Sequence, residues 1–433
     1  MTSPRSLADW LALLESRHPL AIELGLDRVA AVAGRLGLDR PAPRVVTVAG
    51  TNGKGSCVAL LEALLLRAGV RVGAYTSPHL LAYNERVRIA GQPASDAALC
   101  AAFARIEAAR GDIRLTYFEV GTLAALLLFV EAGCEVAVLE VGLGGRLDAV
   151  NIVAPDVAVI TSIDLDHQAW LGDDRDRIGV EKAGIARPGV PTVCGDPAPP
   201  AAMLAALARI GSPGLALGGG QFRLYRTATG LALDCTARDG TARHYAALPA
   251  PRLPAASAAC AVQALVTLGL PPTADAVAAA FAETGLPGRF QQVDWGGCRL
   301  ILDVAHNPAA AALLAQRLSA ECGSERPVAA VVGALADKDL PGLVAPLLPL
   351  VGHWYCCDLP GVARAAPAAR LAEVLYNGGG GASCHADPVA GLAAARRAAR
   401  DGGPILVFGS FHTVAPILAL LADDAEADGG DVR

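Results

Sequence analysis

The sequence predicts an α/β fold in two domains, each built on a mostly parallel sheet. Three observations carry that prediction. Short β-branched runs such as Val45–Val48 are apolar throughout rather than alternating, as strands covered on both faces must be. Helical stretches separate them, and connections of that length suit parallel crossovers. The alternation stops near residue 214 and restarts after Leu286-Pro-Gly-Arg-Phe290.

Each element follows in order. Asp9 can cap the helix of Trp10-Leu-Ala-Leu-Leu-Glu15, and the stretch from Asp27 to Leu36 has helical apolar spacing closed by Gly37 and Pro41. A strand at Val45–Val48 leads through Ala-Gly-Thr-Asn-Gly-Lys-Gly-Ser56 into an apolar helix from Cys57 to Ala68. Further strands are expected at 70–75, 137–141 and 157–163. From 214 to 245, short alternating segments broken by glycines read as a small antiparallel addition. An alanine-rich helix covers 255–268. The second domain restarts with strand 300–303, helix 308–320, and strands 328–332 and 405–408. The domains are therefore placed at 1–285 and 286–433, with an acidic, glycine-rich tail from Asp423.

Composition excludes several classes. Lys+Arg 36 against Asp+Glu 42 gives a net charge of −6, which argues against binding nucleic acid through general electrostatics. The apolar run from Val120 to Val130 ends at Glu131, well short of the roughly 20 residues a membrane span needs. The amino terminus carries charges where a signal peptide needs its apolar run. Eleven cysteines with no C-x-x-C pair speak against a disulfide framework or a structural zinc site. A soluble cytoplasmic protein is expected, acting on small molecules as a monomer, with no membrane or nucleic-acid partner.

The strongest local signal is Gly50-Thr51-Asn52-Gly53-Lys54-Gly55-Ser56. Between a strand and a helix, such a loop can curl its N–H groups around phosphate oxygens, assisted by the helix's positive end. Lys54 would reach the terminal phosphates of ATP and Ser56 could face Mg²⁺. The strict G-x-x-x-x-G-K-[ST] spacing is not met, because Val48 replaces its first glycine and Gly55 intervenes, so a plain glycine turn stays open. Ser77, Glu140, Asp166 and His167 fall at strand carboxyl ends, where open parallel sheets gather their chemistry. Ser77, Glu140 and His167 make a candidate Mg²⁺ set, although Mg²⁺ prefers oxygen ligands; taken singly, His167 is more often a hydrogen-bonded structural residue and Glu140 a helix-capping or salt-bridging one.

Nine segments in order resemble the folylpolyglutamate synthase family, which shares the fold of the Mur cell-wall ligases: VAGTNGKGS, TSPHLLAYNERVRI, LTYFEVGT, LEVGLGGRLDAVN, SIDLDHQAWLG, GVEKAGIARPG, LPGRF, LDVAHNP and VFGSFHTVAPI. They are most similar to its bacterial bifunctional members. The resemblance implies a P-loop ATPase domain followed by a Rossmann-like one, with nucleotide at their interface. It also implies ATP-dependent addition of L-glutamate to dihydropteroate and to reduced folates through an acyl phosphate. By that resemblance, Thr51, Asn52, Gly53 and Lys54 hold phosphates, and Ser77, Glu140 and His167 bind Mg²⁺. Lys182 matches a lysine the family carries as a carbamate; by itself it reads as a phosphate-binding cation. Arg289, Asp303 and His306 would meet nucleotide. Ile22, Glu23, Leu24, Thr116, Tyr117, Phe118, Glu119, Leu147, Asp148 and Ala149 would line the pteroate site. Two positions depart from the pattern: Ser257 where an asparagine is usual at the nucleotide, and Val150 where a threonine is common. Competing readings are folate glutamylation alone, a Mur-type ligase for a UDP-sugar peptide, and a slow nucleotide-binding regulator.

Overall fold

The computed structural model describes residues 6–17, 23–323, 328–398 and 403–428. The chain divides into two compact units, Met1–Thr284 and Gly285–Arg433.

Unit 1 begins with helices α1 (Leu7–Arg17) and α2 (Asp27–Leu36). Ser6, not Asp9, caps α1. The Asp9 N–H donates to Ser6 Oγ at 3.1 Å and the Ser6 N–H returns to Asp9 Oδ2, so Asp9 is the inner half of a capping box. The eight strands that follow are β1 (Arg44–Ala49), β2 (Val72–Tyr75), β3 (Val87–Ile89), β4 (Gln92–Pro93), β5 (Val136–Glu140), β6 (Val157–Ile160), β7 (Thr192–Cys194) and β8 (Gly214–Ala216). Among the described residues they form one sheet in the order β4-β3-β2-β5-β1-β6-β7-β8. It is parallel from β2 to β8, with β3 and β4 folding back antiparallel at one edge. The sequence gives no warning of that edge, because three-residue and two-residue strands are too short to show a period.

The central strands are buried on both faces, every residue of β2, β5 and β6 included. Helices α3 (Lys54–Arg67), α4 (Asp96–Arg110) and α5 (Tyr117–Glu131) follow in the chain. Helix α3 starts at Lys54, three residues before the expected Cys57. Helix α5 holds the long apolar run, buried from Glu119 to Phe129. Strand β6 stops at Ile160 rather than 163. Thr161 and Ser162 keep backbone bonds to Ala49 and Thr51 and turn their hydroxyls onto the Asn52 carbonyl, at 2.6 and 3.1 Å, which braces the glycine loop.

Three more helices, α6 (Gln168–Leu171), α7 (Arg175–Ala183) and α8 (Ala201–Ile210), precede an antiparallel meander of β9 (Arg223–Thr227), β10 (Gly230–Thr236) and β11 (Ala242–Leu248). This is the expected addition. Gln263 of α9 (Ala255–Thr267) ties it down, donating to the Thr236 carbonyl at 2.7 Å and accepting the Thr236 N–H at 3.1 Å.

Unit 2 has six strands among the described residues, in the order 291–295, 298–303, 405–408, 328–332, 351–357, 382–385. All neighbours are parallel except the first pair. The antiparallel first strand and the strands at 351–357 and 382–385 were not among the expected elements.

Candidate functional site

The loops at the carboxyl ends of β1, β2, β5 and β6 converge within unit 1, as parallel neighbours must. Two cavities open there. The smaller, of about 20 Å³, is lined by Gly50, Thr51, Lys54, Val141 to Gly144, Asp166, His167, Leu171 and Lys182. The larger, of about 290 Å³, is lined by segments 23–25, 77–78, 116–119 and 147–149, with Arg86, Gly142, Leu143 and His167. Gly142, Leu143 and His167 belong to both and form the partition.

The glycine loop is braced from below. Thr51 N–H donates to the Ser162 carbonyl at 2.8 Å, and its hydroxyl exchanges hydrogen bonds with the Asp164 backbone at 3.0 and 3.1 Å. Asn52 N–H goes to Ser162 Oγ at 3.0 Å. The amides of Thr51 and Asn52 are thus committed to the fold, and the anion-binding donors left are those opening α3, which no helical carbonyl satisfies. Gly53 takes φ +82°, and a Cβ there would collide with Ser257, whose hydroxyl donates to the Gly53 carbonyl at 3.2 Å. Lys54 Nζ folds back onto the carbonyls of Gly50, at 3.0 Å, and Thr51. Ser56 is buried and lines neither cavity.

Opposite the loop, Glu140 Oε2 accepts the Ser77 N–H at 3.2 Å, bringing those two residues together. His167 is held in the left-handed region at φ 51°, a backbone conformation unusual for a histidine, and its side chain is partly exposed. The segment before it is anchored by Asp196, which accepts the Ile163 N–H at 2.8 Å and pairs with Arg175 at 3.0 Å. The Glu140 carboxylate and the Ser77 hydroxyl are oxygen donors of the kind a small divalent cation takes, and among the described residues no group of three histidine, cysteine or acidic side chains gathers as a metal site. Lys182 is buried on α7. Loss of hydration, with the Lys54 charge nearby, lowers its amine to about 7, against the weaker pull of Asp166.

The larger cavity is mostly apolar, with Leu24, Pro78, Phe118, Leu143 and Leu147 in its walls. Phe118 lies across Gly142, where an added Cβ would stand 2.6 Å from the ring. Thr116 and Glu119 form the capping box of α5: Glu119 Oε2 accepts the Thr116 N–H at 2.7 Å, and Thr116 Oγ1 accepts the Glu119 N–H at 3.2 Å. Asp148 is buried, its two oxygens taking the N–H groups of Val150 at 3.1 Å and Leu143 at 2.9 Å. Burial raises its carboxyl to about 7 despite those bonds. Arg86 donates through Nε to His79 Nδ1 at 2.8 Å and lies over the rings of Tyr83 and Tyr117. Its terminal nitrogens have no protein partner among the described residues.

In unit 2, Asp303 ends its strand and accepts the N–H groups of Phe290 and Ala305, each at 2.8 Å. Burial raises its carboxyl, with Arg289 opposing. Arg289 lies 5.0 Å over the Phe411 ring, and His306 packs against the same ring at 6.4 Å. Arg289 and His306 therefore share one aromatic, and Asp303 lies within electrostatic reach of Arg289.

Residues 48–188 match the Mur ligase middle domain, and residues 288–411 the Mur ligase glutamate ligase domain. The dihydrofolate synthase/folylpolyglutamate synthase of Escherichia coli strain K12 is 48% identical over 425 residues, 98% of this chain and 97% of its own. The Haemophilus influenzae protein of that name is 40% identical over 442 residues, 97% and 98% of the two chains. This chain belongs to the dihydrofolate synthase/folylpolyglutamate synthase family. Among solved structures, Escherichia coli FolC in complex with DHPP and ADP is similar with a TM-score of 0.92 at 44% identity, covering 98% and 99% of the two chains. The bifunctional folylpolyglutamate synthase/dihydrofolate synthase of Yersinia pestis complexed with AMPPNP and Mn ion gives 0.90 at 47%, covering 98% and 99%.

Set against the residues that resemblance to this family selects, Glu23, Leu24, Thr116 to Glu119 and Leu147 to Ala149 all line the larger cavity, while Ile22 lies outside the described residues. Thr51, Lys54, His167 and Lys182 line the smaller one. Sequence reasoning passed over Arg86, Gly142 and Leu143 as site residues. Arg86 sits in a quoted segment, but only Tyr83 of its two aromatic neighbours is near it in sequence, and nothing local marks Gly142 as a partition.

Proposed function

We propose that the chain is an ATP-dependent ligase that adds L-glutamate to dihydropteroate and to reduced folate monoglutamates. The observation that carries this reading is the pair of cavities sharing Gly142, Leu143 and His167. One is built for phosphates and the other for a flat, partly apolar molecule. An acceptor carboxylate brought through the larger cavity to that partition meets the terminal phosphate held by the smaller.

A carboxylate is a poor acyl donor because its leaving group would be oxide. Attack of the carboxylate oxygen on the γ-phosphorus, with ADP leaving, gives an acyl phosphate. The glutamate amine then attacks the acyl carbon, phosphate departs, and the amide forms. Lys54 and the amides opening α3 stabilise charge on the transferring group. Ser77, Glu140 and His167 hold Mg²⁺, which when bound neutralises charge on the phosphate oxygens. Burial lowers the Lys182 amine to about 7, which favours the neutral form that carbamylation requires; as a carbamate it would place an anion in the cavity that His167 also lines. Phe118 packs on the pterin ring, Asp148 meets its polar edge, and the unpaired nitrogens of Arg86 receive an acceptor carboxylate. Resemblance to the family assigns Arg289, Asp303 and His306 to nucleotide binding. The enzyme works as a cytoplasmic monomer. Among the described residues no helix is long and apolar enough to cross a membrane.

The test is purified protein with ATP, Mg²⁺ and L-glutamate, offered dihydropteroate or a reduced folate monoglutamate. Both should yield glutamylated product with stoichiometric ADP. Product from the folate alone would leave the ligase chemistry intact and remove the dihydrofolate synthase activity.

A further inference from the structure

We infer that Arg28 is a positioning residue that holds the larger cavity in its binding shape, by pinning the wall at Glu23–Gly25 to the start of α5. The inference rests on the proposed function for what the cavity binds. From α2, the Arg28 guanidinium donates through Nη1 to Glu23 Oε1, and through Nη2 to the Glu23 carbonyl at 3.0 Å and to Glu119 Oε1 at 3.2 Å. Its hydrogen-bond acceptors thus belong to two residues, both of which line the cavity.

The geometry gives this one side chain a wide reach. Glu119 is buried, and its other oxygen takes the Thr116 N–H, so the carboxylate joins Arg28 to the capping box that aims Tyr117 and Phe118. Glu23 is gripped by side chain and backbone together, which fixes the course of the chain and not merely one rotamer. The Gly25 N–H reaches the Leu147 carbonyl at 3.3 Å, carrying the same wall on to the segment of Asp148. Three walls drawn from distant parts of the sequence are thereby linked in series through Arg28.

A planar guanidinium suits this work because it presents several donors in fixed directions. An ammonium can replace the charge but not the fork. Arg28 Nε is buried without a partner among the described residues. The side chain therefore spends its contacts on the two walls while one of its own donors goes unmet, which favours a role in shaping the cavity.

The experiment compares wild type, Arg28→Lys, Arg28→Met and Arg28→Met/Glu119→Gln. Arg28→Met should raise KM for dihydropteroate by about tenfold or more, since charge-assisted bonds are lost, and leave KM for ATP unchanged. Arg28→Lys should fall between. Adding Glu119→Gln removes the unpaired buried carboxylate and should recover thermal stability without recovering KM. Recovery of both, a parallel rise in KM for ATP, or no change in KM for dihydropteroate overturns the pin. If wild type turns over no pteroate at all, the functional reading fails separately. The pin is then read by amide hydrogen exchange, which should speed at Glu23–Gly25 in Arg28→Met and stay unchanged over residues 50–56; unaltered exchange at Glu23–Gly25 overturns it.

Discussion

The two cavities of unit 1 share a partition and differ in how they are made. The phosphate-binding side of the smaller comes from one loop, Gly50 to Lys54, braced by the loop after β6, and its other side from Val141 to Gly144, Asp166, His167, Leu171 and Lys182. The larger is assembled from four segments between Glu23 and Ala149, held together by a guanidinium, a capping box and a buried carboxylate. A contiguous site should fail at a single residue and fail completely. An assembled site should degrade by steps, each changing affinity for one ligand.

The largest effect expected is from Lys54→Ala. ADP release and product should both fall by about a thousandfold, as for loss of a charge-stabilising donor, while dihydropteroate binding by calorimetry stays within twofold. Near-normal turnover would remove the phosphate-loop assignment and with it the contrast.

A smaller and more selective effect is expected from Gly142→Ala. Its methyl would stand 2.6 Å from the Phe118 ring, so the ring has to move into the larger cavity. KM for dihydropteroate should rise about tenfold, in line with overpacking, with KM for ATP changed by much less. Equal changes in both would show that the partition serves the two cavities alike.

Asp148 sharpens the comparison through pH. Its folded carboxyl titrates near 7, above the usual 3.8, so between those values the native state binds more protons than the unfolded one and stability falls as pH rises. Asp148→Asn lacks that proton. Relative to wild type, the variant should be most destabilised at pH 4 and least at pH 7.5, by denaturant titration without ligands. A constant difference would mean that Asp148 is charged throughout. The smallest effect belongs to Ser257→Ala, which loses one hydrogen bond to the Gly53 carbonyl. KM for ATP should rise by less than about tenfold, the upper end for one such bond.

The same contrast explains what the sequence makes visible. The parallel strands β1, β5 and β6 were readable because burial on both faces leaves them apolar throughout, and the glycine loop because its donors are contiguous. The edge strands β3 and β4 were not, being too short to carry a pattern. The cavity-lining residues Glu23, Thr116 and Asp148 were reached through resemblance to a family, since nothing in local spacing brings them together. Once placed, Thr116 and Glu119 proved to spend their polar groups on a helix cap and on Arg28. Arg86 was missed because an arginine's free nitrogens are visible only when its neighbours are known.

The partition has one more consequence. Gly142, Leu143 and His167 touch whatever occupies either cavity, so a nucleotide that shifts this wall changes the energy of the other ligand's seat. Linkage makes that exchange symmetric: the factor by which ATP alters dihydropteroate affinity is the factor by which dihydropteroate alters ATP affinity. The left-handed backbone of His167 sets the direction from which this shared side chain leaves the chain. Any coupling that passes through this wall is then carried by three residues.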